Sequence, residues 1–183
     1  MGDLRFTIRV ATPADAAGVS AVLAASYGTL LASHYNAELL ALALPLMTTA
    51  NPALLGSGTY YVAENGAGAI VGAGGWSFDR PGTTAIVAGL AHVRHFATLP
   101  SWTGLGVASA ILSKCICEAK SQGAEAMEAY STLAAVGFYQ TLGFIIVSPI
   151  DVPLASGISL PSMLMRLNIS SFFRAEAIGC NTP

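Results

Sequence analysis

Charge is the scarcest feature of this 183-residue chain: Lys, Arg, Asp and Glu make up 10% of it, hydrophobic residues 54%, and the formal net charge is −2. Its 8 Lys and Arg are scattered, which leaves no electrostatic footprint for nucleic acid. Three cysteines are too few for a disulfide framework. Cys115 and Cys117 stand two apart on a predicted helix and point to roughly opposite faces. No second pair completes a zinc site, so no metal is expected. Long apolar runs are missing as well, despite a mean hydropathy of +0.61. Residues 16–33 are rich in Ala, Ser, Gly and Thr, and the run after Leu39 is cut by Pro45 and Pro52. A membrane-spanning helix needs about 20 strongly apolar residues, so no membrane segment is expected. The opening MGDLRFTIRV lacks the apolar stretch and cleavage site of a secretory signal, and Phe6 stands where a myristoylation signal wants Ser or Thr. The expectation is a soluble cytoplasmic protein. So few charges leave weakly polar surfaces of the kind that subunits bury against each other, and a homodimer is expected.

What is present reads as one domain over residues 1–168 with a C-terminal tail, 169–183. A short strand at 7–10 is followed by Thr12-Pro13-Ala14-Asp15, which has the N-cap, the proline and the acidic first turn of a helix start. A second helix spans 36–46, with Pro45 limiting how far it runs. From residue 59 the pattern changes to three hairpin-linked strands, at 59–64, 69–78 and 85–98. Residues 104–121 form a helix closed by Gly123. A strand at 125–130, a short helix at 133–142 and strands at 144–147 and 160–167 complete the order. A long helix after an antiparallel meander argues for an α+β fold with a mostly antiparallel mixed sheet flanked by helices. In the tail, Phe172 and Phe173 suggest packing.

The most informative segment runs Phe96-Ala-Thr-Leu-Pro-Ser-Trp-Thr-Gly-Leu-Gly-Val-Ala108, from a strand through a glycine loop into a helix. Amides at a helix N-terminus, with glycines allowing close backbone approach, suit an anion such as phosphate. The loop has neither the Lys-Ser/Thr ending of a P-loop nor the GxGxxG spacing of a dinucleotide fold. Taken alone, it reads equally as a tight turn.

A second segment, Tyr130-Ser-Thr-Leu-Ala134-Ala-Val-Gly-Phe138-Tyr139-Gln-Thr-Leu-Gly-Phe144, resembles the second signature of the GNAT superfamily of N-acetyltransferases. That signature is Ser/Thr-x-Asn-Ala-x-x-Phe-Tyr-x-x-x-Gly-Phe. The loop Thr103-Gly104-Leu105-Gly106-Val107-Ala108 is similar to the family's Gln/Arg-x-x-Gly-x-Gly/Ala motif. The stretch from Ile8 to Asp15 is similar to its opening strand and helix. The resemblance runs from about Arg5 to Leu167 and implies a GNAT-like three-layer fold.

It also implies acetyl-CoA as cosubstrate and direct attack of a neutral primary amine on the thioester within a ternary complex. By position, the backbone amides of Gly104 to Ala108 would hold the pyrophosphate, with Thr103 at the cofactor-binding position that opens the loop motif. Phe96, Ala97 and Thr98 would pair through their main chain with the pantetheine arm, and Ala134 and Phe138 would lie beside it. Tyr139 matches the family tyrosine near the thioester sulfur, where its phenol could protonate the leaving thiolate; the plainer alternative is packing beside Phe138. His92 occupies the strand position where relatives often carry a glutamate base. A structural role for His92, or deprotonation through water, remains an alternative. Residues 92, 94 and 96 are expected on one strand face and His95 on the other. His34 and Tyr35 fall in the helix-linking stretch that lines the acceptor site in this family.

Two departures stand out: Thr103 replaces the usual Gln or Arg, and Ala134 replaces the common Asn. They favour the alternative of a non-catalytic acyl-CoA-binding protein. The low charge and small residues such as Ala97 and Ala108 are compatible with transfer of another acyl group. With the motifs coincidental, an oligomeric scaffold is the third alternative. Residues 27–55 hold one acidic residue, Glu38, a poor fit to a polycation. A small, weakly charged amine or a protein N-terminus is the expected acceptor.

Overall fold

The computed structural model describes residues 5–155 and 157–175. Its centre is a seven-stranded sheet of β1 (Phe6–Val10), β2 (Tyr60–Asn65), β3 (Ile70–Ser77), β4 (Leu90–Thr98), β5 (Ala126–Thr132), β6 (Ile145–Ala155) and β7 (Ile158–Asn168). The spatial order is β1-β2-β3-β4-β5-β7-β6. Every neighbouring pair is antiparallel except β4 and β5, which run parallel. Helices α1 (Ala16–Leu30), α2 (Ala37–Met47) and α3 (Pro52–Leu55) build one hydrophobic cluster on the sheet. Helices α4 (Val107–Ser121), α5 (Val136–Thr141) and α6 (Ile169–Ala175) contribute to a second. The α+β expectation holds.

The start of α1 follows from its residues. The backbone amide of Thr12 donates to the Asp15 carboxylate at 2.7 Å, and its hydroxyl donates to the same oxygen at 3.1 Å. Arg9 grips both oxygens of Asp15, at 2.8 and 2.7 Å. That hydrogen-bonded guanidinium holds the Asp15 carboxyl well below the usual carboxylate range. On α4, Val107, Ile111, Leu112, Cys115, Ile116 and Ala119 are all buried. This is the i, i+4, i+8 stripe of a helix laid on a sheet. Each larger apolar side chain so buried contributes about 1.5–3 kcal/mol.

Several boundaries differ from the sequence reading, among them the start of α4 at Val107 and not at residue 104. The strand expected over 85–98 begins at Leu90, because Ile86 and Val87 lie exposed in a loop that touches β-structure through one bridge, Asp79 to Ile86. Helix α2, expected to stop at residue 46, ends one residue later at Met47. Strand β6 runs past Val147 to Ala155 through Pro149 and Pro153, which an edge strand tolerates because an outward-facing position needs no N–H. The first residues of the expected tail form α6, whose Ile169 and Phe172 join the core. Residues 176–183 lie outside the described part.

Candidate functional site

Strands β4 and β5 pair only at Leu90 with Ala126, Ala91 with Met127 and His92 with Glu128. Beyond these pairs the strands part, although β4 continues to Thr98 and β5 to Thr132. A β-bulge helps to turn β4 away. Its register with β3 jumps from Gly75–Arg94 to Ala73–Ala97, and His95 takes a left-handed φ of +48°. Two buried tyrosines hold the bulge. The Tyr60 hydroxyl donates to the His95 carbonyl at 2.8 Å, and the Tyr27 hydroxyl donates to the Phe96 carbonyl at 3.1 Å. Burial pushes both phenols above their ordinary pKa, so they remain donors across the working pH range.

The bulge corrects the expected face pattern. Ala91 and Val93 belong to the cluster under α4, which places His92 and Arg94 on the opposite face by alternation. Phe96 packs with the α4 cluster, not beside His92 and Arg94, because the extra residue reverses the alternation.

Between the parted strands lies a cavity of about 620 Å³. The structure brings most of the expected site residues to it. Phe96, Ala97, Thr98, Thr103, Gly104, Gly106, Val107, Ala108, Ala134, Phe138 and Tyr139 all line it, whereas Leu105 and His92 do not. His34 and Tyr35 are also outside the lining. The Tyr35 hydroxyl donates to the Pro161 carbonyl at 2.9 Å and accepts from the Leu133 amide at 2.8 Å, so it ties the α1–α2 link to the far side of the fold.

One end of the cavity is the start of α4. Gly104 and Gly106 have φ of +75° and +83°, which an L side chain rarely adopts, and a Cβ at either would meet nothing within 4 Å. The first bond into the helix runs from the Ala110 amide to the Gly106 carbonyl at 2.9 Å. The amides of Val107, Ala108 and Ser109 therefore have no intrahelical acceptor. The Thr103 hydroxyl is turned back onto the Pro100 carbonyl at 2.7 Å. Further along the wall, Thr98 Oγ1 is buried without a hydrogen-bond partner. Open left-handed glycines, unpaired amides at a helix start and the inner edge of β4 fit an extended molecule with a pyrophosphate at one end.

Tyr139 sits in the cavity wall, 5% exposed, with edge contacts to Phe138 at 5.1 Å and Phe144 at 5.3 Å. Burial raises its phenol far above the ordinary tyrosine range, so it is present as the neutral donor. His92 is buried behind the cavity wall, with Nδ1 lacking a hydrogen-bond partner and 3.8 Å from Glu128 Oε2. Burial first, then the charges of Arg80 and Arg94, push its pKa down to about 4. His95, by contrast, lines the cavity, and burial followed by the charge of Arg94 lowers its pKa from the usual value.

Sequence reasoning missed several lining residues. Arg94 and Tyr130 line the cavity, as do Leu154 and Leu160 from the β6–β7 hairpin and Leu30 and Leu46 from α1 and α2. Arg94 carried a usable signal, since it shares the strand face with His92 and leads into the glycine loop. The leucines carried none, because their approach depends on the tertiary fold. Among the described residues, no group of three or more His, Cys, Asp or Glu side chains could hold a metal ion, and no helix is long and apolar enough to cross a membrane.

A family model described as the acetyltransferase (GNAT) domain matches residues 56–146. No curated protein matches the chain. Among solved structures, a GCN5-related N-acetyltransferase from Rhodopseudomonas palustris is 20% identical, with a TM-score of 0.68 over 88% of this chain and 94% of that one. The PaiA N-acetyltransferase of Thermoplasma acidophilum, in complex with coenzyme A, is 17% identical, with a TM-score of 0.66 over 90% of this chain and 99% of that one. The yncA protein of Salmonella typhimurium, solved with its cofactor acetyl-CoA, is 20% identical, with a TM-score of 0.58 over 90% and 94%. At these identities the likeness establishes the fold.

Proposed function

The chain belongs to the GNAT superfamily, and on that premise we propose that it is an N-acetyltransferase moving the acetyl group of acetyl-CoA to a primary amine in a ternary complex. The observation that carries this reading is the cavity between the parted strands, with the α4 amides at one end and the Tyr139 phenol in its wall. Val107, Ala108 and Ser109 would hold the pyrophosphate through their amides, and the inner edge of β4 from Phe96 to Thr98 would take the pantetheine arm. Acetyl-CoA supplies the thioester. The protein aligns the amine and excludes water. Tyr139 gives a proton to the departing thiolate as the new amide bond replaces the carbon–sulfur bond.

The second proton, which the amine gives up, goes to His95 in this reading and not to His92. His95 is the imidazole that lines the cavity, and its lowered pKa keeps it neutral and able to accept near pH 7. Asparagine tolerates a left-handed φ, so His95→Asn preserves the bulge while removing the base. It is expected to lower kcat/KM by about tenfold to a hundredfold, at or below the lower end of the range for acid–base groups. His92→Gln is expected to leave the shape of the pH–rate profile between pH 6 and 9 unaltered. A profile that responds to His92 and not to His95 reverses the assignment.

The cosubstrate itself is tested by melting temperature, using a sample stripped of carried-over ligand. Acetyl-CoA at a hundredfold excess over Kd is expected to add about 2.7 kcal/mol. For a chain of this size that is a rise of roughly 5–10 °C. No rise from a folded, ligand-free sample removes the acetyltransferase reading. Rates with acetyl-, propionyl- and succinyl-CoA then decide whether another acyl group is preferred.

A further inference from the structure

The described lining of the cavity contains no carboxylate, and its one permanently charged side chain is Arg94. Arg94 pairs with Gly75 and Thr98 with Gly72, so with the bulge between them Arg94 lies about 10 Å along the sheet from the end that leads into the glycine loop. It therefore belongs to the end of the cavity remote from the pyrophosphate site, next to His95. Its side chain is only 15% exposed.

The hydrogen bonds of Arg94 are unevenly distributed over its guanidinium. Nη1 donates to Ser77 Oγ at 2.7 Å, to Asp79 Oδ2 at 2.9 Å and to the Asp79 carbonyl at 3.5 Å. Nη2 and Nε make no hydrogen bond within the described residues. Asp79 is about half exposed and engages one edge of the group, so it orients the guanidinium without occupying the fork. A guanidinium held on one side and open on the other can take a planar carboxylate through two parallel N–H···O bonds.

Much of the surrounding wall is apolar, although Asn51, Tyr130 and Ser162 also line the cavity. Leu30, Leu46 and Met47 approach from α1 and α2, and Leu154 and Leu160 from the β6–β7 hairpin. A polyamine or aminoglycoside would bring several positive charges to a wall with one fixed positive charge and no counter-charge. A bulky apolar body carrying one carboxylate matches both parts of the wall.

We propose that the acceptor is a free α-amino acid with a large aliphatic or aromatic side chain, its carboxylate gripped by Arg94 and its side chain lodged among the leucines. The amine and carboxylate of such a molecule share one carbon, so fixing the carboxylate beside His95 presents the nitrogen to the reacting end of the cavity. This rests on the acetyltransferase reading above and names its substrate class.

Matched pairs test it: L-leucine against isoamylamine and L-phenylalanine against phenethylamine, with spermidine as the polycation, each with acetyl-CoA. In the native protein, kcat/KM for each amino acid is expected to exceed that of its decarboxylated partner by about tenfold or more, the scale of a bidentate charged contact. In Arg94→Gln the ratio is expected to collapse towards one. In Arg94→Lys, which keeps the charge without the fork, it is expected to fall between.

Decarboxylated amines reacting as well as the amino acids overturn the proposal. So does spermidine leading the panel, or Arg94→Gln slowing both members of a pair alike. If acetyl-CoA raises the melting temperature but no acceptor reacts, calorimetry with N-acetyl-L-leucine and CoA decides. Binding weakened about tenfold by Arg94→Gln supports the proposal, and no binding to the native protein overturns it. If acetyl-CoA does not bind at all, the underlying reading has failed, and this one with it.

Discussion

Tyr139→Phe is expected to lower kcat about a hundredfold while leaving the fold and cosubstrate binding intact. The substitution removes one oxygen and nothing else. The ring of Tyr139 contacts Phe138 and Phe144 by its edges, and phenylalanine reproduces those contacts. The hydroxyl makes no hydrogen bond within the described residues, so its loss leaves no protein group unpaired. Stability should therefore change by less than about 1 kcal/mol. What disappears is a proton donor facing the cavity, a role for which about a hundredfold is the lower end of the usual range. Steady-state kinetics with acetyl-CoA, alongside the acetyl-CoA-induced melting shift for both proteins, separate the two effects. A fall in kcat below about threefold would leave Tyr139 a packing residue.

The second large effect is on stability and begins at Gly75. A Cβ there would lie 2.6 Å from the Thr59 carbonyl oxygen and 2.8 Å from Tyr60 Cα, both backbone atoms that cannot rotate away. Gly75→Ala is expected to cost about 3 kcal/mol, the upper end for overpacking a tight interior. That corresponds to a drop of roughly 6–12 °C in melting temperature for a chain of this size. The damage should also reach the site, because Tyr60 is the donor to the bulge carbonyl of His95. Gly137→Ala is the natural control. A Cβ at Gly137, inside α5, meets nothing within 4 Å, so alanine there should be neutral or gain about 0.5–1 kcal/mol. If Gly75→Ala costs less than about 1 kcal/mol, the close approach of β2 and β3 is not as rigid as drawn.

Legibility in the sequence followed locality. The Thr12–Asp15 start, the glycine loop into α4 and the Phe138-Tyr139 helix are short segments whose residues satisfy one another or a single ligand type, and each is found where expected. The bulge at His95 was not legible. Its left-handed residue is a histidine, not the glycine that usually marks such a position, and what holds it is a pair of tyrosine hydroxyls 35 and 69 residues away. The error about which face Phe96 occupies follows directly. The length of β6 was hidden for a different reason. Pro149 and Pro153 read as strand breakers until the strand is known to lie at the sheet edge. The acceptor end of the cavity is assembled from α1, α2 and the β6–β7 hairpin, and no single stretch announces it.

The parting of β4 and β5 also divides the sheet mechanically. Among the described residues, strand pairing between the β1–β4 block and the β5–β7–β6 block is limited to Leu90–Ala126, Ala91–Met127 and His92–Glu128, with the Gly89 carbonyl beside them accepting from the Glu125 and Ala126 amides. With so short a main-chain seam, the two blocks are joined chiefly by the side-chain cluster under α4 and by Tyr35, and should not open together. Amides on the β5–β7–β6 side should exchange with solvent through sub-global opening that costs less than global unfolding. A ligand lodged along the seam would act as the missing strand, and its binding should appear as slowed exchange on both sides at once.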